Sequence, residues 1–282
     1  MAESALRWIF SLLAIFLVGP LLALLVHGLR AIDGTDHMSL LVSRSPALGM
    51  AIGIGILVAA GAFGIIAARF VTRGTGMAIV GLVAVWSAWQ LGTVDSLVRS
   101  NAGNPLIKLA IEGLALGLVS VIIAGFIEVT AKGSKMNPKH VFFAPLADSS
   151  VFASIAAGVL VGGIVAWFVG YQALKGQALF AAFIGSIGAG AAAQLAPMLL
   201  GKDPRPIAGF LAVALLAALG PIVAMLLHGS ALQQAVRAGP NGFFGAAVPI
   251  SLDWVVGMFL GVPVGQSWAA SMLEKRGYPA TA

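Results

Sequence analysis

Eight long apolar stretches, separated by short segments that hold nearly all of the charge, make up most of this chain. A water-soluble fold does not produce this pattern, because the helices that cover a soluble core keep a polar face toward water. Hydrophobic residues are 60% and charged residues 9% of the 282 residues, whereas a soluble domain carries about 25% charged residues. The sequence therefore predicts an integral membrane protein.

Each stretch suits a helix that crosses a hydrocarbon core of about 30 Å, which takes about 20 residues. The predicted spans are Trp8 to Leu29, Ala47 to Ala68, Gly76 to Leu91, Pro105 to Ile127, Val151 to Tyr171, Ala178 to Leu200, Ile207 to Leu227 and Ser251 to Met272. The alternating segments of a membrane β-barrel are missing, and a helix satisfies its backbone groups internally. The predicted fold is an all-α, polytopic bundle of about eight transmembrane helices, a single membrane-embedded domain over 1–282 with no soluble domain.

Lys and Arg in the short connections predict the orientation of the bundle, since positive charge is retained on the cytoplasmic side. Ten of the 16 basic residues fall on the side that holds both termini, which predicts cytoplasmic N- and C-termini. Short loops with this asymmetry suit a bacterial inner membrane. The first apolar run is longer than the core of a signal peptide, about 7–15 residues, so we expect it to stay as the first helix.

Three basic residues follow the fourth span, at Lys132, Lys135 and Lys139. On the inner leaflet each of them would gain roughly 1 kcal/mol from anionic lipid, which makes such lipid a predicted partner. The plainer alternative is a solvated loop whose charge only sets the topology. The net charge of +6 does not indicate nucleic acid, because the basic residues are dispersed over the ends of the spans. A protein partner or a homo-oligomer is compatible with the sequence.

A weak internal repeat emerges when the first four spans are laid on the last four, with halves 1–145 and 146–282. Residues 52–55 and 187–190 then correspond, as do Val98-Arg99 and Val236-Arg237. This register predicts a parallel four-plus-four duplication whose pseudo-twofold axis lies along the membrane normal.

A competing register aligns Arg73-Gly74 with Lys175-Gly176 and pairs the second span with the fifth. Those two spans run in opposite directions, so this register predicts an inverted repeat. Small residues also recur wherever membrane helices pack closely, and that third explanation predicts the same glycines.

Two carboxylates fall inside predicted spans, Glu112 in the fourth and Asp253 near the start of the eighth. An ionisable group at the centre of a membrane helix costs about 2.5–3.5 kcal/mol on insertion scales, so each of them calls for a reason. A pair of carboxylates could bind a cation or relay protons. The structural alternatives are an ion pair of Glu112 with Lys108, four residues earlier, and an N-cap role for Asp253 at the start of its helix.

Ser186 and Gln194 are further candidates for a substrate or ion pathway, because glycines beside them leave room for a small solute. Interhelical hydrogen bonding is the plainer role for such side chains. Glu128, near the end of the fourth span, is expected to reach the headgroups. No cofactor, metal site or catalytic residue is predicted, since the zinc-protease, hydrolase and phosphate-loop motifs are missing.

The sequence thus favours a transporter or channel for a small solute or ion, with proton coupling as one option and with its path near Glu112, Gln194 and Asp253. The alternative is a non-catalytic membrane subunit that scaffolds or assembles a larger complex. An intramembrane enzyme that uses Glu112 or Asp253 on lipid is a third hypothesis, which the missing motifs do not favour.

Overall fold

The helical bundle predicted from the sequence is what the chain forms. The structure is a computed structural model and describes residues 2–36, 38–100, 105–134, 138, 141, 149–172, 174–237 and 245–274. These residues contain no strand, and they include eight helical segments that are long and apolar enough to cross a membrane. The prediction of an all-α, polytopic membrane protein with about eight transmembrane helices is therefore confirmed.

The first span combines α1 (Ala2–Leu13), a π-helical turn (Ala14–Val18) and α2 (Gly19–His27). The other spans are α3 (Pro46–Phe70), α4 (Arg73–Trp89), α6 (Pro105–Thr130), α7 (Ser149–Val169), α8 (Lys175–Leu199), α9 (Pro206–His228) and α11 (Ser251–Glu274). Short helices α5 (Val94–Ser100) and α10 (Leu232–Arg237) lie in connections. The largest difference from the predicted starts is at α1, which begins six residues before Trp8 with Glu3 in its first turn, where a helix dipole favours an acidic side chain.

Successive spans alternate in direction, so each end of the bundle collects specific helix ends. We call the end that holds the start of α1 the N-terminal face and the other end the opposite face. At the N-terminal face, Lys132 after α6 pairs with Glu3 of α1. At the opposite face, the backbone N–H of Gly92, after α4, donates to the carbonyl of Met38, which follows α2 (2.8 Å).

Helix α11 lies among several other spans, since it contacts α8 most extensively and also packs on α4, α6 and α9. Residues 251–259 of this helix are all buried. The first span is at the other extreme, with Trp8, Phe16 and Leu24 among its exposed side chains. The polar groups on α11 are therefore shielded by neighbouring helices, whereas the first span presents a broad apolar surface suited to lipid.

A row of glycines brings α11 against α8. Gly257, Gly261 and Gly265 follow one another at intervals of four residues and so share one face of the helix. A Cβ atom on Gly261 would lie 2.5 Å from the carbonyl oxygen of Phe183, and those on Gly257 and Gly265 would also meet backbone atoms of α8. The close approach of the two helices therefore depends on the missing side chains, as is typical of small-residue motifs in membranes.

Candidate functional site

Glu112 lies in the first third of α6 and is completely buried. Its Oε2 atom accepts hydrogen bonds from the hydroxyl of Ser39 (2.8 Å) and from the backbone N–H of Leu41 (2.7 Å). The side chain of Lys108 is exposed, and Glu112 forms no ion pair with any residue that the structure describes. The local ion pair with Lys108 that the helical spacing suggests is therefore not formed.

The donors to Glu112 come from the segment of residues 38–43, which follows the first span and enters the bundle at the opposite face. Met38, Ser39, Leu40, Val42 and Ser43 are all buried in it. Its local shape is held by the Ser43 hydroxyl, which donates to the carbonyl of Leu40 (2.9 Å). The segment fits against α3 because Gly49 and Gly53 lack side chains that would overlap Leu40.

The second oxygen of the same carboxyl group, Oε1 of Glu112, is buried and has no hydrogen-bond partner in the described part of the chain. The hydroxyl of Ser251, the first residue of α11, lies beside this carboxyl group. Ser251 Oγ is also buried and without a hydrogen-bond partner among the described residues. Two unpartnered oxygens thus face each other between α6 and α11, and one hydrogen bond between them would satisfy both.

Asp253, two residues after Ser251, is completely buried and has a charged partner. Its Oδ1 atom lies 2.7 Å from Nζ of Lys175, the first residue of α8, and its Oδ2 atom accepts from the backbone N–H of Ile250 (3.0 Å). The bond to Ile250 satisfies a free N–H at the start of α11, as the third helical residue does in a capping box. Asp253 therefore ties two helix starts together, and its charge is compensated.

The other two candidates lie along α8, away from Glu112. Ser186 is buried beside Gly257 and Gly261, one turn deeper along the contact with α11 than Asp253. Gln194 lies about 12 Å further along α8 than Ser186. It is half-buried, and its side chain forms no hydrogen bond with a described residue. The structure therefore brings Glu112 and Asp253 into one region through Ser251, and leaves Gln194 outside it.

A second polar cluster lies at the N-terminal face. Arg73, the first residue of α4, pairs through Nε with Oε1 of Glu128 at 2.7 Å, and its Nη2 donates to Oε1 of Gln266 (2.8 Å). Gln266 of α11 in turn donates to the carbonyl of Pro206 at the start of α9 (2.6 Å). The expectation that Glu128 reaches the headgroups is wrong, because its side chain is only 2% exposed and faces Arg73.

The lysines after α6 are only partly described. Lys132 is exposed and pairs with Glu3, while Lys135 and Lys139 lie outside the described residues. A contact of these three side chains with anionic lipid stays a prediction.

The sequence does not indicate five members of these clusters: Ser39, Leu41, Arg73, Lys175 and Gln266. It presents the two basic residues as charges that set the topology and as a match in the inverted register. Arg73 and Lys175 each begin a helix. At the same face, another helix carries a carboxylate near its end or its start, and this coincidence of opposite charges is the signal that the sequence offers. Gln266 carries no comparable signal, since an amide in a span is common.

The chain matches no protein-family model, no curated protein and no solved structure. What is established is a multi-pass helical membrane protein with two buried polar clusters, one at each face. Glu112 lies in the first third of α6 and Glu128 near its last residue, so the two are about 24 Å apart along the helix axis. Any assignment of function to this chain rests on the chemistry of these clusters.

Proposed function

We propose that this chain is a membrane transporter for a small solute or ion that is coupled to protons, with Glu112 as the group that carries the proton. The observation that carries the proposal is the complete burial of Glu112 without a cationic partner among the residues that the structure describes. A buried carboxylate that lacks compensation costs several kcal/mol, so its charge must be removed by a bound proton or a bound cation.

A proton fits the surroundings of Glu112 better than a metal ion does. When Oε1 of Glu112 carries the proton, its O–H can donate to Oγ of Ser251, and when Glu112 has released the proton, the Ser251 hydroxyl can donate to Oε1 instead. Ser251 thus suits both states of a group that binds and releases a proton. An oxygen-bound divalent metal would need about six ligands, and no group of three His, Cys, Asp or Glu residues is found in the described residues. The described neighbours of Glu112 therefore supply every hydrogen-bonding partner that a bound proton needs.

Asp253 has a different role in this proposal, because Lys175 already compensates its charge. We assign to it the positioning of α8 and α11 around Ser251. The segment of residues 38–43 covers Glu112 from the opposite face, so proton exchange with that side requires this segment to withdraw. Ser186 is buried in the contact of α8 with α11, so the path continues past it only when these two closely packed helices separate.

For the orientation, the positive charges support a cytoplasmic N-terminal face in a bacterial inner membrane. Lys132, Lys135 and Lys139 would then meet anionic headgroups on that side.

Purified chain in sealed vesicles that contain a pH-sensitive dye tests the proposal. With an inside-negative potassium diffusion potential, we expect wild-type protein to acidify the vesicle interior faster than protein-free vesicles do. Glu112→Gln keeps the size of the side chain but cannot release a proton, so we expect its rate to fall to that of protein-free vesicles. Glu3→Gln, the same change at an exposed carboxylate, is the matched control and should keep the wild-type rate.

Two results would count against the transporter. Glu112→Gln vesicles that acidify at the wild-type rate would remove Glu112 from the path. Wild-type vesicles that stay at the protein-free rate in all tested gradients and with added solutes would favour the non-catalytic membrane subunit instead.

A hydrophobic carbodiimide checks proton binding without any assumption about the cargo. The reagent reacts with the protonated form of a carboxyl group, and it enters apolar regions. We expect mass spectrometry of the digested protein to find Glu112 modified in preference to Asp253 and Glu128, because each of the latter two lies 2.7 Å from a basic side chain and Glu112 has no such partner among the described residues. Equal modification of all three carboxyl groups would contradict the assignment of the proton to Glu112.

A further inference from the structure

Three consecutive helices of this chain recur later with nearly constant spacing. The first residues of α3 and α7 (Pro46, Ser149) are 103 residues apart, those of α4 and α8 (Arg73, Lys175) 102, and those of α6 and α9 (Pro105, Pro206) 101. In the four-plus-four register α3, α4 and α6 correspond to α8, α9 and α11, and the first residues of these pairs are 129, 133 and 146 residues apart. The helix starts therefore follow the register that aligns Arg73 with Lys175.

The helical pairs at the start of each set both close at a mutual glycine contact, although the glycines do not occupy equivalent positions in the two sets. In α3 and α4, a Cβ on Gly64 would lie 2.7 Å from the carbonyl oxygen of Gly76, and one on Gly76 would lie 2.6 Å from that of Gly64. In α7 and α8 the reciprocal distances between Gly162 and Gly185 are 2.8 and 3.0 Å. Each pair thus crosses at one mutual glycine contact, which side chains at these positions would prevent.

The third helices of the two sets pack on each other. The distance from a Cβ on Gly113 of α6 to the carbonyl oxygen of Ala217 would be too short for a real contact, and one on Gly117 would lie 2.7 Å from Cβ of Ala214. The later residue of α6 contacts the earlier residue of α9, so the two helices cross antiparallel. This crossing is what an axis in the membrane plane requires, and α11 contacts helices of both sets.

Arg73 and Lys175 occupy the same place in the two sets, at opposite faces of the bundle. Each is the first residue of its helix, and each lies 2.7 Å from an oxygen of a buried carboxylate, Glu128 or Asp253. A cavity of about 280 Å³ lies next to Arg73 at the N-terminal face, and Thr72 and Gly74 are among the residues that line it. Neither Arg73 nor Glu128 lines this cavity, but the Arg73 side chain is itself 36% exposed, so solvent on that side reaches the pair.

We propose that α3–α4–α6 and α7–α8–α9 form an inverted structural repeat, and that the Arg73–Glu128 and Lys175–Asp253 pairs close the two ends of the transport path. This inference rests on the proposed transport function. Opening one pair while the other stays closed exposes the path to one face at a time, which is how inverted repeats provide alternating access. Loss of one pair therefore shifts the population toward the state that is open at that face.

Two double variants, one for each face, remove the closing pair without leaving a buried charge unpaired. Lys175→Gln with Asp253→Asn removes the pair at the opposite face, and Arg73→Gln with Glu128→Gln removes the pair at the N-terminal face. The chain has no cysteine, so a single introduced thiol gives an unambiguous signal. Two buried alanines serve as probes, Ala178→Cys one turn deeper than Lys175 and Ala124→Cys one turn deeper than Glu128.

The readout is the rate at which a water-soluble maleimide labels each probe in detergent-solubilised, full-length protein. Detergent leaves both faces reachable, so the orientation in the membrane does not enter. We expect the Lys175–Asp253 variant to raise labelling of the Ala178→Cys probe by about tenfold and to lower labelling of the Ala124→Cys probe. The Arg73–Glu128 variant should produce the reverse. Asp95→Asn with Arg99→Gln removes an exposed pair and should change neither rate.

Opposite changes at the two probes support the pair of gates, whatever the vesicle experiments find about protons. Faster labelling of both probes in both variants would indicate loosened packing and would overturn the proposal, as would unchanged rates. Either result would leave the assignment of Glu112 as the proton carrier untouched, because the maleimide assay does not involve that residue.

Discussion

Gly261→Leu should strongly destabilise the contact between α8 and α11, as a large side chain at any glycine of this row would. The new side chain would start 2.5 Å from the carbonyl oxygen of Phe183, and backbone atoms of two packed helices cannot withdraw as the end of a side chain can. Overpacking of a core costs about 1–3 kcal/mol when side chains can adjust, and we expect a loss of at least about 3 kcal/mol here. Thermal unfolding in detergent, followed by circular dichroism, measures it.

Gly55→Leu is the matched control for this prediction. Gly55 also lies within a membrane helix, but a Cβ there has nothing within 4 Å. Leucine is the better helix former at both positions, since glycine costs about 0.8–1.0 kcal/mol relative to alanine in a helix interior. Gly55→Leu should therefore be neutral or stabilising. Equal midpoints for the two variants would show that α8 and α11 do not pack as closely as described.

Lys175→Met should also have a large effect, because it leaves Asp253 buried without its only charged partner in the described chain. Removing one member of a buried ion pair destabilises a protein by about 3–5 kcal/mol, whereas replacing both members is often neutral. We therefore expect Lys175→Met to unfold at a much lower temperature than wild type. Adding Asp253→Asn should restore most of the loss, since asparagine still accepts from Ile250 and carries no charge.

Arg99→Met tests whether the loss of stability in Lys175→Met arises from the burial of the ion pair. Arg99 pairs with Asp95 through Nε and Oδ1 at 2.8 Å, but the two side chains are 55% and 28% exposed. Exposed pairs contribute about 0–1 kcal/mol, so Arg99→Met should unfold close to wild type. A Lys175→Met protein that is no less stable than Arg99→Met would mean that solvent reaches Asp253.

The helices were predictable because their cause is composition. Runs of about 20 apolar residues have one stable arrangement in lipid, and the spans from the sequence overlap all eight helices. The burial of Glu112 and Asp253 inside the bundle also follows from their positions in spans, since a charged group avoids lipid.

The partners of those residues were not predictable, because they come from segments distant in the sequence. Ser39 and Leu41 precede Glu112 by about 70 residues, and no periodicity connects a polar loop with a helix that far away. The helical spacing favoured Lys108 instead, but a lysine near the end of a span gains more by extending to the surface than by entering the bundle. Glu128 was misjudged for a related reason, since its position at a helix end leaves open whether it faces lipid or α4.

The hydrogen bonds between the first connection and Glu112 also set an order of assembly during synthesis. The first span and residues 38–43 leave the ribosome well before α6, whose carboxylate accepts from Leu41 71 residues later. Until α6 has inserted, the N–H of Leu41 and the hydroxyl of Ser39 have no such acceptor and must remain hydrated. The burial of this segment is therefore a late event, which completes only after the fourth span has entered the membrane.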